Sequence, residues 1–113
     1  MLIKLYKIPP SYKMSLRSIK YVAQSETLDP GYDTFLINAS EGNIIFTLSD
    51  IINDGESYWI KRIDSSSNTV TVEGYTESQI IEGQTSINLT PGARIIVVSS
   101  YNAATDTYVW YYF

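Results

Sequence analysis

Tyr58-Trp59-Ile60-Lys61-Arg62-Ile63-Asp64-Ser65-Ser66-Ser67-Asn68-Thr69-Val70-Thr71-Val72 is the stretch from which the fold is read. Its first six residues alternate, placing Tyr58, Ile60 and Arg62 on one face of a strand and Trp59, Lys61 and Ile63 on the other. Ser65-Ser66-Ser67-Asn68 is turn chemistry. Beyond it the valines of Thr69-Val70-Thr71-Val72 point one way and the threonines the other. A period of two on both sides of a polar turn is a strand–turn–strand unit.

The same pattern recurs outward from this unit. Upstream, Asp29-Pro30-Gly31 opens a run from Tyr32 to Asn38, and Ser40-Glu41-Gly42-Asn43 precedes Ile44 to Leu48. Asn53-Asp54-Gly55 is a further turn. Downstream, Gly74 and Gly83 bracket a short run from Glu77 to Glu82, and Pro91-Gly92 leads into Ala93 to Tyr101. Thr107 to Phe113 follows. An additional strand is expected from about Leu16, whereas Pro9-Pro10 breaks regular structure before it. Short apolar runs punctuated by turns, with no sustained helical periodicity, predict an all-β chain. The expected form is a compact antiparallel β-sandwich or jelly-roll-like module, residues 23–113, preceded by an extended basic arm, residues 1–22.

Composition narrows the chemistry. The 113 residues contain neither cysteine nor histidine, which excludes disulfides, thiol nucleophiles and histidine-dependent catalysis. Ten tyrosines in a chain rich in Thr, Ser, Ile and Val favour strands over helices. The longest aliphatic run, Ile95-Ile96-Val97-Val98, is far too short for a helical membrane span, and lysines interrupt the apolar residues near Met1. No membrane partner and no secretory signal are expected. Charge is divided: Lys4, Lys7, Lys13, Arg17 and Lys20 give residues 1–20 a balance of +5. Residues 21–113 set Lys61, Arg62 and Arg94 against all twelve acids, a balance of −9. The five arm cations are therefore expected to dock on an acidic protein partner. Nucleic acid is not expected, because the acidic body would repel phosphates.

Candidate reactive groups are few. Asp50, Asp54 and Glu56 resemble a calcium loop only in Gly55; Ile52 and Lys61 occupy positions where that loop needs ligands. Glu73 with Glu77, or Asp64 with Glu82, could meet as a carboxylate pair, but no motif around them favours hydrolysis. No phosphate-cradling loop or nucleophile elbow is present. The expectation is a protein that is not an enzyme and has no metal and no cofactor. Tyr75 and Tyr101, in or beside turns, are the candidate stacking residues for a glycan. The run Tyr108-Val109-Trp110-Tyr111-Tyr112-Phe113 is apolar or aromatic on both faces, so Tyr108, Trp110, Tyr111 and Phe113 are expected at a subunit interface.

From Gly42 onward the chain resembles a small β-module of tailed-phage fibres, tailspikes and head-fibre proteins. Gly42-Asn43-Ile44-Ile45-Phe46-Thr47-Leu48 is similar to its opening strand, and Tyr58 to Val72 to its hairpin. Ile80-Ile81-Glu82-Gly83 with Ser86-Ile87-Asn88-Leu89 resembles the next segment, and Trp110-Tyr111 its aromatic close. Two features depart from the pattern: Ser49 follows Leu48 where a proline is usual, and the turn Asn102-Ala103-Ala104-Thr105-Asp106 is longer. The resemblance implies a homotrimeric, non-enzymatic part of a virion, made in the host cytoplasm. It would be a complete short head-fibre or decoration appendage, its arm anchored to a capsid or tail protein of the same particle. The alternative expectation is a receptor-binding or glycan-binding tip of a tail fibre, facing a host-surface glycan. The resemblance transfers no catalytic or ligand residues.

Overall fold

The computed structural model describes residues 17–113; Lys4, Lys7 and Lys13 of the basic arm lie outside the described residues. Ten strands form among the described residues: β1 (Ile19–Val22), β2 (Glu26–Thr27), β3 (Thr34–Ile37), β4 (Ile44–Thr47), β5 (Ser57–Arg62), β6 (Val70–Glu73), β7 (Gln79–Ile81), β8 (Ser86–Asn88), β9 (Arg94–Asn102) and β10 (Thr107–Tyr112). They make a six-stranded sheet, ordered β1-β3-β5-β9-β10-β7, and a four-stranded sheet, ordered β2-β4-β6-β8. No helix occurs among the described residues. The chain is all-β.

From β1 to β8 each strand lies in the other sheet from the one before it. The chain thus winds between the sheets, and up to β6 each circuit lays a strand parallel to its predecessor, whereas β8 pairs antiparallel with β6. β1, β3 and β5 run parallel in one sheet, and β2, β4 and β6 in the other. β9 then enters antiparallel between β5 and β10, while β7 pairs parallel with the far side of β10. The expected antiparallel arrangement is therefore corrected: five of the eight strand pairings are parallel. The physical reason is in the connections. A tight hairpin joins antiparallel neighbours, whereas a turn that crosses to the other sheet lets the chain return in its original direction.

The alternation read from the sequence sets the core. In β5, Tyr58, Ile60 and Arg62 are buried while Ser57, Trp59 and Lys61 face out. Val70 and Val72 are buried on β6. Phe35 from one sheet meets Phe46 from the other with ring centroids 5.1 Å apart. Ile37, Ile44, Val97 and Trp110 complete a core with no exposed surface to speak of. Burying side chains of this size stabilises by about 1.5–3 kcal/mol each.

A second correction concerns the arm. β1 contributes four parallel pairings with β3, and its Val22 is 1% exposed within the core. The boundary drawn after residue 22 therefore cuts through the six-stranded sheet. Tyr21, Val22 and their neighbours read as weak strand in the sequence because neither face of Leu16–Tyr21 is cleanly apolar.

Among the described residues the buried polar side chains are Arg62, Gln79 and Ser99, and Arg62 carries a charge. Arg62, 2% exposed, closes a bidentate pair with Asp64, its Nε and Nη2 donating to the two carboxylate oxygens at 3.0 Å each. Nη1 donates to the carbonyl of Leu89 at 2.9 Å, and Nη2 to those of Asn68 and Ser66 at 2.6 and 3.1 Å. Asp64 also accepts from the Ala39 and Ser66 backbone N–H groups and from the Ser66 hydroxyl. The pair so ties together the ends of β3, β5 and β8 and the start of β6. The Arg62 guanidinium, with these N–H donors, holds the Asp64 carboxyl far below the usual carboxylate range.

Two outcomes are expected. Asp64→Asn orphans a buried guanidinium and should lower the unfolding free energy by about 3–5 kcal/mol in urea titrations. In the wild type the unfolded chain takes up a proton near the ordinary carboxylate value of about 4, which folded Asp64 refuses. Its stabilising contribution is therefore full at neutral pH and shrinks as pH falls below about 4, a dependence the variant should lack. A chain beginning at Ala23 loses β1 and Val22, and its thermal midpoint should fall by at least ~5 °C; an unchanged midpoint would return β1 to the arm.

Candidate functional site

The outward face of the six-stranded sheet is the chain's most unusual surface. Cross-strand register builds two adjacent rows on it. One runs Ile19, Thr34, Trp59 and Ile96, and Phe113 extends it through two backbone hydrogen bonds with Ile96 at 2.9 and 3.1 Å. The other runs Tyr21, Leu36, Lys61 and Arg94. Beyond them Tyr111 pairs with Val98, and Val109 with Ile80. Between the rows lies a groove of about 650 Å³, lined by Leu36, Trp59, Ile96 and Phe113 with Lys61 and Arg94 at its border. Trp59 is 45% exposed and Phe113 77%. The outer face of a sheet normally meets water with polar side chains; this one sets large exposed apolar side chains beside Thr34, Lys61 and Arg94.

Trp59 is held in place from one side. The Arg17 guanidinium lies 4.1 Å from its ring centroid, donates to Thr34 Oγ1 at 2.8 Å and pairs with Asp33 at 3.5 Å. Lys20, another arm cation, is paired with Glu26 at 2.8 Å, which raises its pKa. Of the arm cations, Arg17 and Lys20 thus engage acids of their own chain.

The aromatic candidates separate. Trp110 is fully buried against Tyr58, ring centroids 6.1 Å apart, so its ring is taken up by the chain's own core. Its indole N–H has no hydrogen-bond partner among the described residues. Tyr108 packs half-buried on the same core, while Tyr111 and Phe113 lie on the outward face. Tyr101 stacks on Tyr108 at 4.7 Å and donates its hydroxyl to Asp106, whose charge raises the phenol pKa. Tyr75, by contrast, is 48% exposed at the edge of a polar hollow of about 380 Å³. Glu73, Thr76, Glu77, Thr85 and Ser86 line this hollow. Gly74 shapes it, because a Cβ there would collide with the carbonyl oxygen of Gln79.

The carboxylates serve local structure. Asp50 accepts from the Gln79 amide at 2.6 Å, Asp54 from the Tyr101 backbone N–H at 3.0 Å, and Glu56 from Asn53 and Tyr58. Asp64 is occupied by Arg62, and Glu82 caps the Tyr112 backbone N–H at 2.7 Å, so the two do not form a pair. Glu73 and Glu77 do share the Tyr75 hollow.

Sequence reasoning missed the groove itself. Its signal was present: Trp59 falls on the solvent side of the β5 alternation, and Ile96 on that of β9. Their juxtaposition follows from the β5–β9 register, which no local pattern discloses. Set against known proteins, the chain matches no family model and no curated protein.

Proposed function

We propose that the protein is a structural component of a tailed-phage virion, a short appendage of the head-fibre or decoration kind that assembles as a homotrimer. In this reading the two sheets form a β-sandwich of mixed strand direction, and the basic N-terminal segment carries the contact to a capsid or tail protein. The observation that carries the proposal is the apolar outward face built on Trp59, Ile96, Tyr111 and Phe113. Such a face is of the type that obligate assemblies bury between subunits. The stretch from Tyr58 to Val72 adds the likeness to phage appendage modules.

Light scattering of the purified chain tests it. A particle of three times 12.8 kDa is expected, and Trp59→Glu should reduce it to the monomer without loss of the β-sheet signal. A wild-type monomer across micromolar concentrations would overturn the reading.

One observation favours a second reading, a glycan-binding tip: the exposed Tyr75 ring beside the polar hollow. Tyr101 supports it less, since its ring and hydroxyl are already engaged by Tyr108 and Asp106. Tyr75→Ala should then abolish retention on host cells while leaving the thermal midpoint within about 2 °C; unchanged retention would remove this reading.

A further inference from the structure

Lys61 and Arg94 stand directly opposite each other in the β5–β9 register, both on the outward face. Like charges in that position repel. Lys61 donates to the neutral carbonyl of Gly92 at 3.2 Å, and neither cation has a carboxylate partner among the described residues, whereas Arg17, Lys20 and Arg62 each have one. Residues 1–16 contain no acid that could supply it. This uncompensated pair borders the apolar groove.

The acids show the opposite imbalance in one place. Glu26, Asp33 and Asp64 are paired with cations. Asp29, Asp50, Asp54, Glu56, Glu82 and Asp106 accept hydrogen bonds from their own chain. That leaves Glu41, Glu77 and Glu73, the last holding only a 3.4 Å contact to the Thr47 hydroxyl. Two of these three, Glu73 and Glu77, line the same hollow. Glu73 shares the outward face of the four-stranded sheet with its register partner Thr47, while Lys61 and Arg94 are outward on the other sheet. The two imbalances therefore sit on opposite outer surfaces of one chain.

We propose that the Lys61–Arg94 groove of one copy receives the Glu73–Glu77 hollow of the next, a head-to-tail contact that closes the ring of subunits. This rests on the trimeric reading above and names the surfaces that would build it. A two-fold contact, with groove on groove, would bring four cations together and is disfavoured by the same charges. The head-to-tail contact neutralises both sets at once and covers the groove with the Tyr75 turn.

The test is charge reversal on the full chain, read by light scattering over a concentration series with circular dichroism as the check on folding. Lys61→Glu with Arg94→Glu should weaken assembly at least ~100-fold, as should Glu73→Lys with Glu77→Lys. All four substitutions together should restore the trimer, which a merely structural role for these residues would not do. Glu41→Lys should leave assembly intact. Should the wild type be trimeric and both double reversals remain so, this contact is refuted while the trimer stands. A monomeric wild type refutes both. Loss of the trimer in both doubles without rescue in the quadruple variant also overturns the pairing.

Discussion

Arg62 and Asp64 bear the main constraint on this chain. A guanidinium placed at the inward end of β5 has no access to water, so every one of its donors must find an acceptor from the protein. It finds them at the exit of β8 and at the entrance of β6, as well as on Asp64 two residues away, which in turn accepts from the Ala39 N–H at the exit of β3. A buried ion pair is a weak source of net stability, since desolvation offsets much of the attraction. Its effect here is on position. The carbonyls of Leu89, Asn68 and Ser66 are satisfied together only when the winding strands stop in register. The serines and asparagine of the turn that crosses from β5 to β6 thus serve the geometry of the core, where their composition alone suggests an exposed polar loop.

Much of the fold was legible because strands announce themselves by alternation. Tyr58, Ile60 and Arg62 facing in, Val70 and Val72 facing in, and Trp110 opposite Tyr111 follow from a period of two. Strand direction did not follow, because a turn such as Asn38–Asn43 has the same residues whether it reverses the chain within a sheet or carries it across to the other. The two faces of β10 were read correctly as apolar, yet their destinations differ. Trp110 is used by the chain's own core, and Tyr111 and Phe113 are left outside. Only the tertiary register distinguishes these uses. The same holds for Lys61 and Arg94, thirty-three positions apart in sequence and adjacent in the sheet.

The outward surfaces of the two sheets have different chemistry. The four-stranded sheet presents mainly polar groups, Thr47, Thr71, Glu73 and Asn88, around the exposed Ile45. The six-stranded sheet presents Trp59, Ile96, Val98, Tyr111 and Phe113 with unneutralised cations at one border. Arg17 joins the basic N-terminal segment to this surface through Trp59. Arg17, the first of the described residues, is thereby a neighbour of the apolar groove.

The strand order has a consequence for how the protein is made. β9 and β10 are the last strands in the chain, yet they lie inside the six-stranded sheet, between β5 and β7. Until they leave the ribosome, β5 lacks its antiparallel neighbour and β7 has no strand to pair with. The earlier parallel strands must wait with open edges, and parallel pairing between distant residues is slow even when all strands are present. Synthesis therefore exposes unpaired, apolar strands for the length of time needed to add the final hairpin, the interval in which nascent chains are most prone to stick to one another.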